Sequence, residues 1–240
     1  MRFGAFPITE LQSFPPPRHA QCWVYLTLNA EIALSLPQSP ALQQLIRQPR
    51  VRISVDGQWL WWGLRRKYQA RALSKLSGSD LIHRLAEHCS QSGQRLLLLG
   101  SSAQANLGAV QALQARWPGL AVSGIAPPHY TPGSDGEQAM HAASLAAIEA
   151  CNADFVVLGL GASKEQRFAL QLAAQLDGRV TGLMCFGGAI DLASGRVKRA
   201  PLLWQRLGAE GLYRVLQQPA RLGRLARVLR IIPVLVSGQY

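Results

Sequence analysis

Apolar residues in this chain fall into short unbroken runs, separated by longer stretches in which they recur every three or four positions. The runs are "CWVYLTLN" (22–29), "VRISV" (51–55), "RLLLLG" (95–100), "LAVSGIA" (120–126), "DFVVLGLG" (154–161) and "RVTGLMCFGG" (179–188). Runs of this kind, bounded by turn residues, predict strands buried on both faces. Between them, "SDLIHRLAEHCSQSG" (79–93) carries apolar residues at helical spacing, with Ser79 or Asp80 as its cap and Gly93 as its stop. Residues 102–116, 134–151 and 163–176 read as helices in the same way. Shorter helical pieces, interrupted by Pro37 and Pro40, run to about Arg47.

Strands alternating with helices predict an α/β fold: a Rossmann-like, mostly parallel sheet with helices on both faces. Ligands in such folds bind beyond the carboxyl ends of the strands. Thr27, Asn29, Asp56, Gly57, Gly100, Ser101, Gly159, Gly161, Gly187 and Gly188 fall there. Residues 1–20, stiffened by Pro15, Pro16 and Pro17, read as an irregular lead-in, and 21–195 as the α/β core. After Gly195 the strands stop, and 196–240 read as a basic helical C-terminal appendage.

Charge sharpens that boundary. The 240-residue chain has a formal charge of +12. Between Arg196 and Arg230 there are nine basic residues, opposed only by Glu210, so nine less one leaves +8 in this segment. The body is only mildly basic, and the anion-seeking surface is C-terminal. With 220–230 as a helix, Leu222, Leu225, Ala226, Leu229 and Ile232 share one side, and Arg221, Arg224, Arg227 and Arg230 spread over the other. This pattern suits an anionic membrane surface, or a helix docked on the body with a solvated basic face. Nucleic acid would also attract the charge, but aromatic interleaving and a binding motif are both missing; no nucleic-acid partner is expected. No stretch reaches the roughly 18 apolar residues of a membrane span. The N-terminal stretch has no signal core. Cys22, Cys89, Cys151 and Cys185 form no C-x-x-C pair and read as free thiols, which suits a cytoplasmic location.

Several residues are candidates for chemistry. Asp56, ending a buried strand before Gly57, is either a general base or half of an Asp-Gly turn. Thr27 and Asn29 share one strand face; they either bind a sugar or phosphate, or cap the next helix. Gly100-Ser101-Ser102 joins a strand to a helix and can offer backbone N–H groups to phosphate. "GLGASKEQ" places two glycines ahead of Lys164 and Glu165, without the G-x-G-x-x-G of a dinucleotide site. His19, His83, His88, His129 and His141 show no metal-binding spacing, and no metal or cofactor is expected. There is no G-x-S-x-G elbow.

Taken together, "LTLNAEI" (26–32), "VDG" (55–57), "LSGSDL" (76–81), "RLLLLGSS" (95–102), "DFVVLGLGASKEQ" (154–166), "FGGAIDLASGRVKRAP" (186–201) and "LGAEGLYRVLQQPARLGR" (207–224) resemble the bacterial WecG/TagA/CpsF glycosyltransferase family in order and spacing, over nearly the whole chain. The resemblance implies an inverting, metal-independent transferase. It would move a sugar from a UDP-sugar to a polyprenyl-diphosphate-linked saccharide in cell-surface polysaccharide synthesis, at the inner face of the plasma membrane. It implies Asp56 as the base. Thr27, Asn29, Gly57, Gly100, Ser101, Gly161, Lys164, Glu165, Gln166 and Asp191 are then expected to bind substrate. Arg199, Arg214, Arg221 and Arg224 are expected to stabilise the departing diphosphate, with the C-terminal helix on the membrane. A homo-oligomer is left open.

The chain departs from the family pattern in three places. Ala162-Ser163-Lys164-Glu165-Gln166 stands where the family usually has x-Pro-Lys-Gln-Glu. Gly211 replaces a usual Trp, and Lys75 a common Arg. The first departure motivates a second reading, a non-catalytic relative that binds a nucleotide sugar or lipid-linked glycan.

Overall fold

The computed structural model describes residues 1–8, 14–71, 73–128, 130–219 and 222–238. Its main sheet has six parallel strands: β3 (Trp23–Leu28), β4 (Val51–Val55), β5 (Leu96–Gly100), β6 (Val122–Ile125), β7 (Phe155–Gly159) and β8 (Gly182–Cys185), in the order β4-β3-β8-β7-β5-β6. These are the six runs of the sequence, five of them trimmed at their ends. Successive side chains point to opposite faces, so the inner strands feed two cores. Leu97, Leu99, Val156, Leu158, Leu183 and Cys185 join one, and Leu96, Leu98, Phe155, Val157 and Met184 the other.

Helices cover both faces. The first core takes Leu42 and Leu45 of α2 (Pro40–Leu45), Leu60 and Leu64 of α3 (Gln58–Tyr68), Met140 and Ile148 of α6 (Asp135–Cys151), and Phe168 and Leu172 of α7 (Ala162–Leu172). Beside them α1 (Ala30–Ser35) buries Ile32. The second core takes Leu81, Leu85 and Cys89 of α4 (Gly78–Ser92), Ala109 and Leu113 of α5 (Ala103–Arg116) and Ile190 of α8 (Ala189–Ala193). The expectation of a parallel sheet with helices on both faces therefore holds.

Two elements depart from the sequence reading. The lead-in is not wholly irregular: β1 (Arg2–Phe3) and β2 (Phe6–Pro7) pair antiparallel, and Phe3, Phe6 and Ile8 are buried in the first core. The stretch after Asp56-Gly57 is the helix α3, which no sequence signal had set apart from a loop. Its glycine start and left-handed end at Gln69 carry no side-chain cap.

After Gly195 come α9 (Leu202–Arg206), α10 (Glu210–Gln217), α11 (Leu222–Leu229) and α12 (Ile231–Ser237). This segment is docked on the body. Arg199 is ion-paired to Asp80, Ala200 is buried, and Ile231 of α12 enters the first core beside α3. Gly211 lets α10 and α11 close on each other: a Cβ there would sit 3.2 Å from Leu225 Cδ1. On the outside, Leu202, Leu203, Leu207, Leu216, Leu222 and Leu229 are exposed. No helix among the described residues is long and apolar enough to cross a membrane.

Candidate active site

From β5 the chain moves one way to β6; from its neighbour β7 it moves the other way to β8. The loops after β5 and β7 therefore part, which opens a crevice at the carboxyl edge of the sheet. Here the backbones run very close: a Cβ on Gly100 (φ +113°) would lie 2.6 Å from the Gly159 carbonyl carbon. Only glycine satisfies both the dihedral and the contact. Ser101 follows, its N–H bonded to Gly159 O at 2.8 Å and its Oγ donating to Asp191 Oδ1 at 2.5 Å. Ser102 caps α5 by accepting from Ala105 N–H. Asn106, buried in α5, fixes this corner by donating to the carbonyls of Leu98, Gly100 and Ile125.

The altered "ASKEQ" stretch has a clear local role for its acid. Glu165 is 2 % exposed; its Oε1 accepts from Gly161 N–H at 3.3 Å and its Oε2 from Gly187 N–H at 3.2 Å. One carboxylate thus clasps the loops after β7 and β8. A glutamine there has one acceptor oxygen, and its NH₂ would face the second N–H. Glu165→Gln is expected to cost about 1–2 kcal/mol, read as a lower midpoint in thermal unfolding beside wild type. Gln166 is 1 % exposed, and its Nε2 makes no hydrogen bond among the described residues. Lys164 Nζ donates to Tyr130 O at 2.6 Å and lies 4.4 Å from that ring's centroid, tying α7 to the loop after β6. Behind it Arg167 grips the buried Glu137 through two bonds of 2.9 and 2.7 Å, and that pairing holds the Glu137 carboxyl down at about 2.

The other half of the site lies at β3 and β4. Asn29 Oδ1 accepts from Ile32 N–H at 3.0 Å, so Asn29 caps α1. Thr27 is buried, and its hydroxyl donates to Cys185 O at 3.3 Å across the sheet. One rung beyond the Leu28–Val55 pair stands Asp56, its own N–H bonded to Leu28 O at 2.7 Å. Burial pushes the Asp56 carboxyl up to about 7, and the negative Glu210 adds to this. Arg214, Lys75 and the Gly57 N–H oppose the rise. Lys75 in turn donates to Gln58 Oε1 at 2.9 Å.

The C-terminal segment joins the two halves. Arg214 Nη1 would lie 3.5 Å from a Cβ on Gly188, with Asp191 Oδ2 at 4.0 Å from the same point, and its charge reaches Asp56. Arg199 is spent differently: it pairs with the Asp80 carboxylate and touches Ser77 Oγ at 3.5 Å. Arg221 and His129 lie outside the described residues, as does the side chain of Arg224. Lys75, Glu210 and Asp80 escaped sequence reasoning as site neighbours: a bridge between Val55 and Lys75 brings the lysine to Asp56, while the folded tail brings Glu210 to Asp56 and Arg199 to Asp80. Among the described residues no three His, Cys, Asp or Glu side chains gather as metal ligands. The four thiols are unpaired, and burial pushes those of Cys22 and Cys89 up to about 12, which leaves them inert.

An open parallel sheet with glycine loops, an elevated carboxyl and an arginine gathered at its carboxyl edge defines an α/β enzyme architecture. The model of the glycosyl transferase WecG/TagA/CpsF family matches residues 16–238, and the chain belongs to that family. It is a family of glycosyltransferases that serve cell-surface polysaccharide synthesis.

Proposed function

We propose that this protein is an inverting, metal-independent transferase that moves a sugar from a UDP-sugar to a polyprenyl-diphosphate-linked saccharide, working at the cytoplasmic surface of the plasma membrane. The observation that carries the reading is the meeting of Asp56, with its carboxyl near neutrality, and Arg214 of the C-terminal segment at one end of the sheet.

The acceptor hydroxyl gives its proton to the Asp56 carboxylate as its oxygen bonds to the anomeric carbon. On the opposite face the bond from that carbon to the diphosphate breaks, and its electron pair leaves with UDP. A carboxyl titrating near 7 is well matched to this proton transfer at neutral pH. The departing diphosphate gains negative charge, which Arg214 is placed to stabilise. Arg221 and Arg224, following in the chain, extend the same role. Arg199, held by Asp80, positions the segment that carries them. The loops of Gly100-Ser101 and Gly161, with Asp191 and Lys164, line the donor side; Asn29 and Gly57 flank the base. The exposed leucines of the C-terminal segment, together with the arginines that the sequence places among them, rest on anionic lipid.

The test is a transfer assay on membranes carrying lipid-diphosphate-linked sugar, with a panel of UDP-sugars. Transfer with one donor supports the reading. No transfer with any donor, together with UDP-dependent thermal stabilisation, would instead identify a non-catalytic binder.

A further inference from the structure

α3 carries an unusual solvent face. Its buried side is ordinary: Leu60 and Leu64, four residues apart, enter the first core. Trp61 also turns toward the body, its indole N–H bonded to Leu73 O at 2.7 Å. Trp59, Trp62 and Arg66 follow the i, i+3, i+7 spacing and share one stripe, opposite the leucines. A helix that faces only water holds polar residues there. Instead, Trp59 is 38 % and Trp62 39 % exposed, with their rings edge to face at 5.4 Å. At the C-terminal end of the helix, Arg65, Arg66, Gln69 and Arg71 line a surface depression. From Gly57 to Ser79 the chain has five cations and no acid.

We propose that this face of α3 is a second membrane-docking surface, on the body rather than the tail, and that it takes anionic phospholipid. The inference rests on the peripheral-membrane reading above and extends it. Exposed indoles favour the boundary between headgroups and acyl chains, where the ring is apolar and the N–H finds a polar partner. The arginine-lined depression one to two turns away offers forked donors to lipid phosphate. Charge complementarity with an anionic leaflet favours lipid as the occupant. The surface is also continuous with the tail: Trp59 Nε1 donates to Gly208 O at 3.0 Å, next to the exposed Leu207. Two anchors, α3 and α9–α11, fix the orientation of the Asp56 crevice relative to the bilayer, which one helix alone leaves free to rotate.

The test uses the full chain without donor or acceptor, so its result does not depend on whether transfer occurs. Wild type, a Trp62→Ser/Arg66→Gln variant and a Leu222→Gln/Leu229→Gln tail variant are each titrated with vesicles of phosphatidylcholine, alone or mixed with phosphatidylglycerol. The first variant leaves the Trp59–Gly208 bond in place, and an unchanged thermal midpoint verifies its fold. Its partition into the anionic vesicles is expected to fall roughly tenfold, and acyl-brominated lipid should quench its tryptophan fluorescence less than that of wild type. Unchanged partition and quenching would overturn the proposal, as would loss of all binding in the tail variant alone. A wild-type dimer in light scattering that Trp62→Ser/Arg66→Gln converts to monomer would also overturn it, assigning the face to a second copy of the chain.

Discussion

Asp56→Asn is expected to lower kcat/KM for sugar transfer by about 10²–10⁴ while the protein stays folded, because it removes the proton acceptor and keeps the shape. The wild-type pH profile should show an acidic limb near pH 7, where Asp56 ionises, and that limb should vanish in the variant. Stability moves the other way. The folded carboxyl titrates at about 7 against an ordinary value of 3.8. Between those values the folded state binds more protons than the unfolded one. The associated stability is therefore fully present below about pH 4 and lost as pH rises through 7. Asp56→Asn should melt higher than wild type near pH 8, with the difference shrinking toward about pH 4. Thermal unfolding at the two pH values and initial rates across the range check both halves. Retained activity, or a limb that persists in the variant, would remove Asp56 as the base.

Arg214→Ala is expected to reduce kcat by about 10²–10³, the usual loss when a donor facing developing charge is removed. It should also leave a second mark. Arg214 lowers the Asp56 carboxyl, so its loss moves the acidic limb to higher pH. Arg214→Lys separates the two effects. It keeps the charge, and so holds the limb near its wild-type position, but it lacks the planar fork for phosphate oxygens and leaves kcat depressed. A limb that stays put in Arg214→Ala would show that the tail does not govern the base.

The sheet was legible in the sequence because its strands are buried on both faces. "RLLLLG" and "DFVVLGLG" announce themselves as continuous apolar runs, and the glycines and caps between them mark where each run stops. The helix α3 was not legible. Its tryptophans occur on both sides, at 59, 61 and 62, so no apolar stripe stands out against a polar one. The Asp-Gly pair before it was also as good a turn signal as a catalytic one. In the site, Asp56 and the glycine loops could be placed from the strand ends alone. The Glu165 clasp could not, since Gly161 and Gly187 are brought together only by the pairing of β7 with β8. Nor could Arg199 be told from Arg214 by charge. One is matched by Asp80 and the other faces the crevice, and that difference belongs to tertiary structure.

The Arg199–Asp80 pair, with buried Ala200 beside it, has a kinetic consequence. It pins the start of the C-terminal segment to α4, so on the transferase reading proposed above Arg214 would stay tethered a short contour length from the donor diphosphate even if the distal helices were to lift away. For a short tether the effective concentration at the target is on the order of millimolar. On that reading the return of Arg214 to the crevice is a first-order, intramolecular event, independent of how dilute the protein is. On the same reading, only arrival at a bilayer would depend on protein and lipid concentration.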